Sequence, residues 1–186
     1  MRLLNTRPTE DALSLTAALE AMGHEVISAP LLSIEDVEGD LPDLADVYGL
    51  LATSANGLRA FAGKSDRRDL KVFAVGDATA RTASAKGFDD VSTASGDVDA
   101  LADLVKATCQ PGNGILLHVA GSAVAGDLGG NLDAAGYKVQ RLVLYKALVA
   151  GVLPDQVEKM LTAGDLDGVM LYSPRTAATF VALVQA

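Results

Sequence analysis

Two stretches of this chain are copies of one another. Gly49-Leu50-Leu51-Ala52-Thr53-Ser54-Ala55-Asn56-Gly57-Leu58-Arg59-Ala60-Phe61 lies over Gly168-Val169-Met170-Leu171-Tyr172-Ser173-Pro174-Arg175-Thr176-Ala177-Ala178-Thr179-Phe180 without a gap, with Gly, apolar run, Ser and Phe in register. Each reads as a buried strand that ends in a hydroxyl and opens a helix. The first N–H groups of that helix have no partner inside it, and in an open parallel sheet such corners are where ligands bind. Either serine alone is explained as an N-cap; two copies of the corner point to one ligand held between two related halves. A second alignment agrees. Laying Leu3-Leu4 on Leu116-Leu117 also pairs Leu19 with Leu132, Gly23 with Gly136, Val26 with Val139 and Leu31 with Leu144.

Between these anchors the chain alternates strand and helix signals. Residues 2–5 read as a strand, and a helix over 9–22 carries Leu13, Leu15, Leu19 and Met22 at helical spacing before Gly23 stops it. Residues 25–34 alternate loosely and contain Pro30, which suits an edge or connecting strand. The acidic stretch 35–46 reads as a loop with a short helix. Lys71 to Val75 is a buried strand that runs into the Gly76-Asp77-Ala78-Thr79-Ala80 corner and a helix over 78–86 ended by Gly87. A strand over 89–93 and a helix over 98–107 follow, and Pro111-Gly112-Asn113-Gly114 breaks the chain. Gly121, Gly126, Gly129 and Gly130 fit neither a P-loop nor a dinucleotide fingerprint and read as a loop entering a weak helix. Strands over 139–149 and 168–172 and helices over 153–161 and 176–185 complete the expected order.

Composition limits the function. Twenty-four acids against fifteen bases give a net charge of −9, which argues against nucleic acid or an anionic membrane as partner. It leaves an anionic small molecule open, because helix-start N–H groups bind anions by local geometry. Cys109 is the single cysteine, so no internal disulfide forms, and His24 and His118 stand apart from carboxylates in sequence; no metal site is expected. The N-terminus turns polar too soon for a signal peptide and no apolar run reaches about 20 residues, so a cytoplasmic protein is expected.

Taken together, Thr6-Arg7-Pro8, Thr53-Ser54-Ala55-Asn56, Val75-Gly76-Asp77-Ala78-Thr79-Ala80, Val143-Leu144-Tyr145 and Tyr172-Ser173-Pro174 resemble the uroporphyrinogen-III synthase family over nearly the whole chain. The resemblance implies two α/β domains of flavodoxin-like, three-layer, parallel-sheet type, joined by a two-stranded linker, with the substrate in the cleft between them. One domain would be discontinuous, residues 1–32 plus 149–186, and the other would run over 36–142, with linkers near 30–35 and 142–148. It also implies cyclisation of hydroxymethylbilane, a linear tetrapyrrole, with loss of water and inversion of the last pyrrole ring. No cofactor is implied. The expected protein is a monomer, with the preceding enzyme of the pathway as the candidate protein partner.

Carried onto this chain, the resemblance makes Tyr145 the candidate general acid. Thr53, Ser54, Thr79 and Ser173, the N–H groups at Gly76 and Asp77, and Arg7 become carboxylate binders. A competing reading is a non-catalytic two-lobed module that closes on a small polyanion; Tyr145 and the Val75-Gly76 corner favour the enzyme. The second copy stops just after the helix equivalent to residues 57–62. The chain is therefore expected to be a shortened version lacking two βα units, with a strand edge near 169–172 left open.

Overall fold

Glycines set the joints of this chain. Gly23 (φ +83°), Gly87 (φ +89°) and Gly136 (φ +87°) each end a helix in left-handed conformation, so the next strand can start at once. In chain order the elements are β1 (Arg2–Asn5), α1 (Thr9–Ala21), β2 (Glu25–Ser28), β3 (Leu32–Asp36), β4 (Val47–Ala52), α2 (Ala55–Lys64), β5 (Lys71–Ala74) and α3 (Asp77–Ala85). Then follow β6 (Val91–Thr93), α4 (Val98–Thr108), β7 (Ile115–Gly121), α5 (Leu128–Ala134), β8 (Lys138–Val149), α6 (Asp155–Ala163), β9 (Gly168–Met170) and α7 (Pro174–Val184). This computed structural model describes residues 1–124 and 126–185. Ala125, in the glycine-bearing loop before α5, and Ala186 lie outside the described residues.

The fold is mixed α/β with predominantly parallel sheets, and contacts divide it into two units: Met1–Ile34 with Ala147–Ala186, and Glu35–Lys146. In the continuous unit the strands run β8-β7-β4-β5-β6, with β3 outside β8. Counted from β4 this order is 3-2-1-4-5, not the 2-1-3-4-5 of a flavodoxin-like sheet, so the order reverses between β4 and β7. Side-chain alternation along the strands builds a layer on each face. Leu50, Val72, Leu117 and Val119 pack with Leu58, Phe61 and Ala83 of α2 and α3. Their neighbours Leu51, Phe73 and Leu116 pack with Leu101, Val105 and Leu132 of α4 and α5.

The discontinuous unit holds a three-stranded sheet, β2-β1-β9. Leu4, Ala29, Leu31, Leu153 and Val157 form its core, with Val169, Phe180 and Leu183 against them. The duplication appears here as register. Leu3 pairs with Val26 on one side and Gly168 on the other, and Leu116 pairs with Val139 and Gly49 in the same way. At the linker strands Val37 N donates to Leu144 O and Ala150 N to Leu31 O, so partner numbers run in opposite directions as in an antiparallel pair.

Two local expectations are corrected. Leu13 and Met22 do not line the inner face of α1: they are 68% and 71% exposed, and the inner face is Ala12, Leu15, Thr16 and Leu19. Residues 37–46 form no helix; Pro42 interrupts the segment, and the Asp43 carboxylate accepts from Ala45 N, a local turn that competes with helix.

Candidate functional site

In an open parallel sheet the crevice for a ligand opens at the carboxyl ends of the strands where their order reverses. Here that place is the end of β4 and β7, and polar side chains gather there. β4 delivers Thr53 and Ser54, both half-buried, and Ser54 is the N-cap of α2, accepting from Gly57 N at 3.2 Å. The same Oγ lies 2.8 Å from the phenol oxygen of Tyr145 on β8. Tyr145 reaches it because a bulge between Ala120 and Gly121 skips one residue of β8 and sets Tyr145 opposite Gly121. Glycine leaves room for the ring: a Cβ on Gly121 would lie 2.7 Å from Tyr145 Cζ, so the phenol would have to shift. Arg141 closes this end of the sheet, its guanidinium donating to the carbonyls of Gly121 and Ser122 at 2.8 and 2.9 Å.

His118, buried on β7, places Nε2 3.1 Å from Thr53 Oγ1. Burial and then the nearby Arg141 charge lower its pKa from 6.5 to about 4, so the ring is neutral at ordinary pH. The corner after β5 adjoins this one, since Ala52 pairs with Ala74 and Val75 N donates to Ala52 O. Gly76 caps α3, Thr79 is buried in its first turns, and the exposed Asp77 carboxylate accepts from Thr93 Oγ1 and Ser95 Oγ.

The other unit repeats the corner with different side chains. Ser173 caps α7 in a reciprocal box: its Oγ accepts from Thr176 N at 3.1 Å, and Thr176 Oγ1 accepts from Ser173 N at 3.0 Å. Arg7, just past β1, lays its guanidinium 4.4 Å from the ring centre of Tyr172, whose hydroxyl donates to Asn5 Oδ1 at 3.0 Å. Burial raises the Tyr172 pKa, with Arg7 pulling the other way.

A family model for uroporphyrinogen-III synthase HemD matches residues 14–186. The chain belongs to the uroporphyrinogen-III synthase family. Two solved synthases have the same fold. A mutant uroporphyrinogen III synthase from the extremely thermophilic bacterium Thermus thermophilus is 20% identical, with a TM-score of 0.57 over 98% of this chain and 76% of that one. Uroporphyrinogen-III synthetase from Helicobacter pylori 26695 is 14% identical, with a TM-score of 0.62 over 98% of this chain and 78% of that one. No curated protein sequence matches the chain. Among the described residues no helix is long and apolar enough to cross a membrane.

In this synthase-family chain the structure joins Ser54 directly to Tyr145 and sets Thr53 beside them, while the hydroxyl of Ser173 is engaged in its own capping box. Sequence reasoning passed over Arg141, took His118 only as a histidine apart from carboxylates, and read Gly121 as a loop residue, whereas it ends β7. A signal for His118 existed: laying Leu3 on Leu116 puts Asn5 on His118, a polar residue at the same place in two apolar strands. A cavity of about 550 Å³ opens at the opposite, amino-terminal ends of the strands, beside Tyr48, Arg67, Asp69 and Lys138. Its Arg67 is already held by Asp69 at 2.6 and 2.8 Å, so the hydroxyl-rich carboxyl end is the better candidate site.

Proposed function

We propose that this chain is a uroporphyrinogen-III synthase, a cyclising lyase that converts hydroxymethylbilane to uroporphyrinogen III with loss of water and inversion of the terminal pyrrole ring. The observation that carries the reading is the Tyr145 phenol beside the Ser54 hydroxyl, at the carboxyl end of β4 where the strand order reverses. The carbon–oxygen bond of the hydroxymethyl group breaks, a proton from Tyr145 leaves with that oxygen as water, and an electron-poor azafulvene remains. The terminal ring attacks through its substituted carbon to give a spiro intermediate, which fragments and recloses with the ring reversed; the proton lost from the newly bonded ring carbon as aromaticity returns restores the Tyr145 phenol. Pyrrole nitrogens of the substrate supply the electron push, so the reading needs no cofactor.

Under this reading the protein supplies positioning, worth about 7–11 kcal/mol in favourable cases, and acid assistance worth about 10²–10⁴-fold. Ser54 fixes the phenol. Thr53, Thr79, Ser173, Arg7 and the N–H groups at Gly76 and Asp77 take carboxylates, each corner by the same helix-start chemistry. We take residues 1–32 with 149–186, and residues 36–142, as the two domains, and place the work in the cytoplasm as a monomer. Incubation with freshly made hydroxymethylbilane and chromatography of the product isomers tests the proposal. The inverted isomer is expected; the uninverted isomer alone would identify a binding module.

A further inference from the structure

The duplication repeats a side-chain hydrogen bond as well as a backbone. Residues 53 and 172 are equivalent, each standing immediately before an N-cap serine, and residues 118 and 5 are equivalent because His118 pairs with Leu51 on β4 as Asn5 pairs with Met170 on β9. In one unit Thr53 Oγ1 meets His118 Nε2 at 3.1 Å; in the other Tyr172 Oη meets Asn5 Oδ1 at 3.0 Å. The residue types differ at both positions, yet a side-chain hydrogen bond joins them in each copy. The inner partners are buried, His118 at 5% exposure and Asn5 at 0%, in central strands where an apolar residue would carry no desolvation cost.

We propose that His118 and Asn5 are positioning residues, each aiming a carboxylate receptor in its own unit; this rests on the synthase reading above. A neutral imidazole with its proton on Nε2 donates to Thr53 Oγ1. The threonine's own proton must then point away from the histidine, and an arriving carboxylate accepts it. In the other unit the phenol proton goes to Asn5. What that bond fixes is the Tyr172 ring, and the ring carries the Arg7 guanidinium. One duplicated pair of positions thus aims a hydroxyl in one copy and a guanidinium in the other.

The test compares His118→Gln, whose amide nitrogen falls near the lost Nε2, with His118→Asn and His118→Leu, which cannot reach Thr53. His118→Asn and His118→Leu should raise KM for hydroxymethylbilane about 5- to 100-fold with kcat little changed, while His118→Gln stays near wild type. Thr53→Val should match His118→Leu, the double variant should be no worse than either single, and Tyr172→Phe should raise KM in the same way. A wild-type KM in His118→Leu, equal behaviour of the Asn and Gln variants, or multiplying effects of His118→Leu and Thr53→Val would overturn the His118 role. Unchanged KM in Tyr172→Phe would overturn the Asn5 role. If His118→Leu fails to fold, the Asn and Gln pair decides. A wild-type protein that forms no inverted isomer sinks the synthase reading instead. The pairing is then read from the imidazole ¹⁵N shifts, which must report a protonated Nε2 that moves in Thr53→Val; an unmoved resonance rejects it.

Discussion

Ser54 Oγ stands between two partners, 3.2 Å from the N–H of Gly57 and 2.8 Å from the phenol oxygen of Tyr145. Since the N–H of Gly57 fills one lone pair, the serine proton is free to go to the phenol oxygen, and the phenol keeps its own proton to give away. Tyr145→Phe should therefore lower kcat by about 10²-fold or more without reaching background, since positioning survives. Ser54→Ala should lower it less and also remove an N-cap worth about 1 kcal/mol. Steady-state assay with isomer chromatography measures both; wild-type kcat in Tyr145→Phe would remove the phenol from the chemistry.

Two glycines at this site should respond differently to alanine. A methyl on Gly57 meets the Val119 carbonyl, backbone that cannot step aside, whereas a methyl on Gly121 meets the end of the Tyr145 ring. Gly57→Ala is expected to cost at least about 1–3 kcal/mol in urea unfolding. Gly121→Ala should unfold closer to wild type and lose turnover, because the displaced phenol leaves Ser54.

His118 ties stability to pH. Unfolded, it takes a proton near its ordinary pKa of 6.5; folded, burial and Arg141 delay that until about 4. Between those values the unfolded chain binds more protons, so stability should fall as pH drops from 6.5 towards 4 and be indifferent to this residue above 6.5. Thermal unfolding across that window should show a shallower fall in His118→Leu than in wild type.

Arg7 offers a charge and a plane together. Arg7→Lys keeps the charge but loses the flat contact with Tyr172 and the forked donors, so KM should rise about fivefold, and Arg7→Ala should raise it further. Added salt should weaken wild-type binding more than that of Arg7→Ala. Equal KM values for the three proteins would take Arg7 out of the site.

Much of this arrangement could be read from the chain because it depends on local rules. Gly23, Gly87 and Gly136 end helices, Ser54 and Ser173 open them, and the duplication read from Leu3/Leu116 and Gly49/Gly168 returns as equivalent strand pairs. What could not be read comes from long-range geometry. The bulge that turns Tyr145 towards Ser54 depends on how two strands slip past each other, and the neutral state of His118 depends on a burial that only the assembled sheet creates. Leu13 and Met22 misled because the helical spacing around them allows two apolar stripes, and the alanine-bearing stripe faces inward.

The unit built from both ends of the chain has a consequence for how the protein is made. Its strands β1 and β2 leave the ribosome before the continuous unit, but β9, which pairs with β1 at Leu3 and Gly168, is translated only after all of residues 35–146. The continuous unit can fold while still tethered to the ribosome. The βαβ segment over β1 and β2 must instead wait, two strands with an unfilled edge, for a partner that lies beyond the whole continuous unit. Pulse-labelled nascent chains halted before residue 168 should thus resist protease over residues 35–146 while remaining cleavable near residues 1–34.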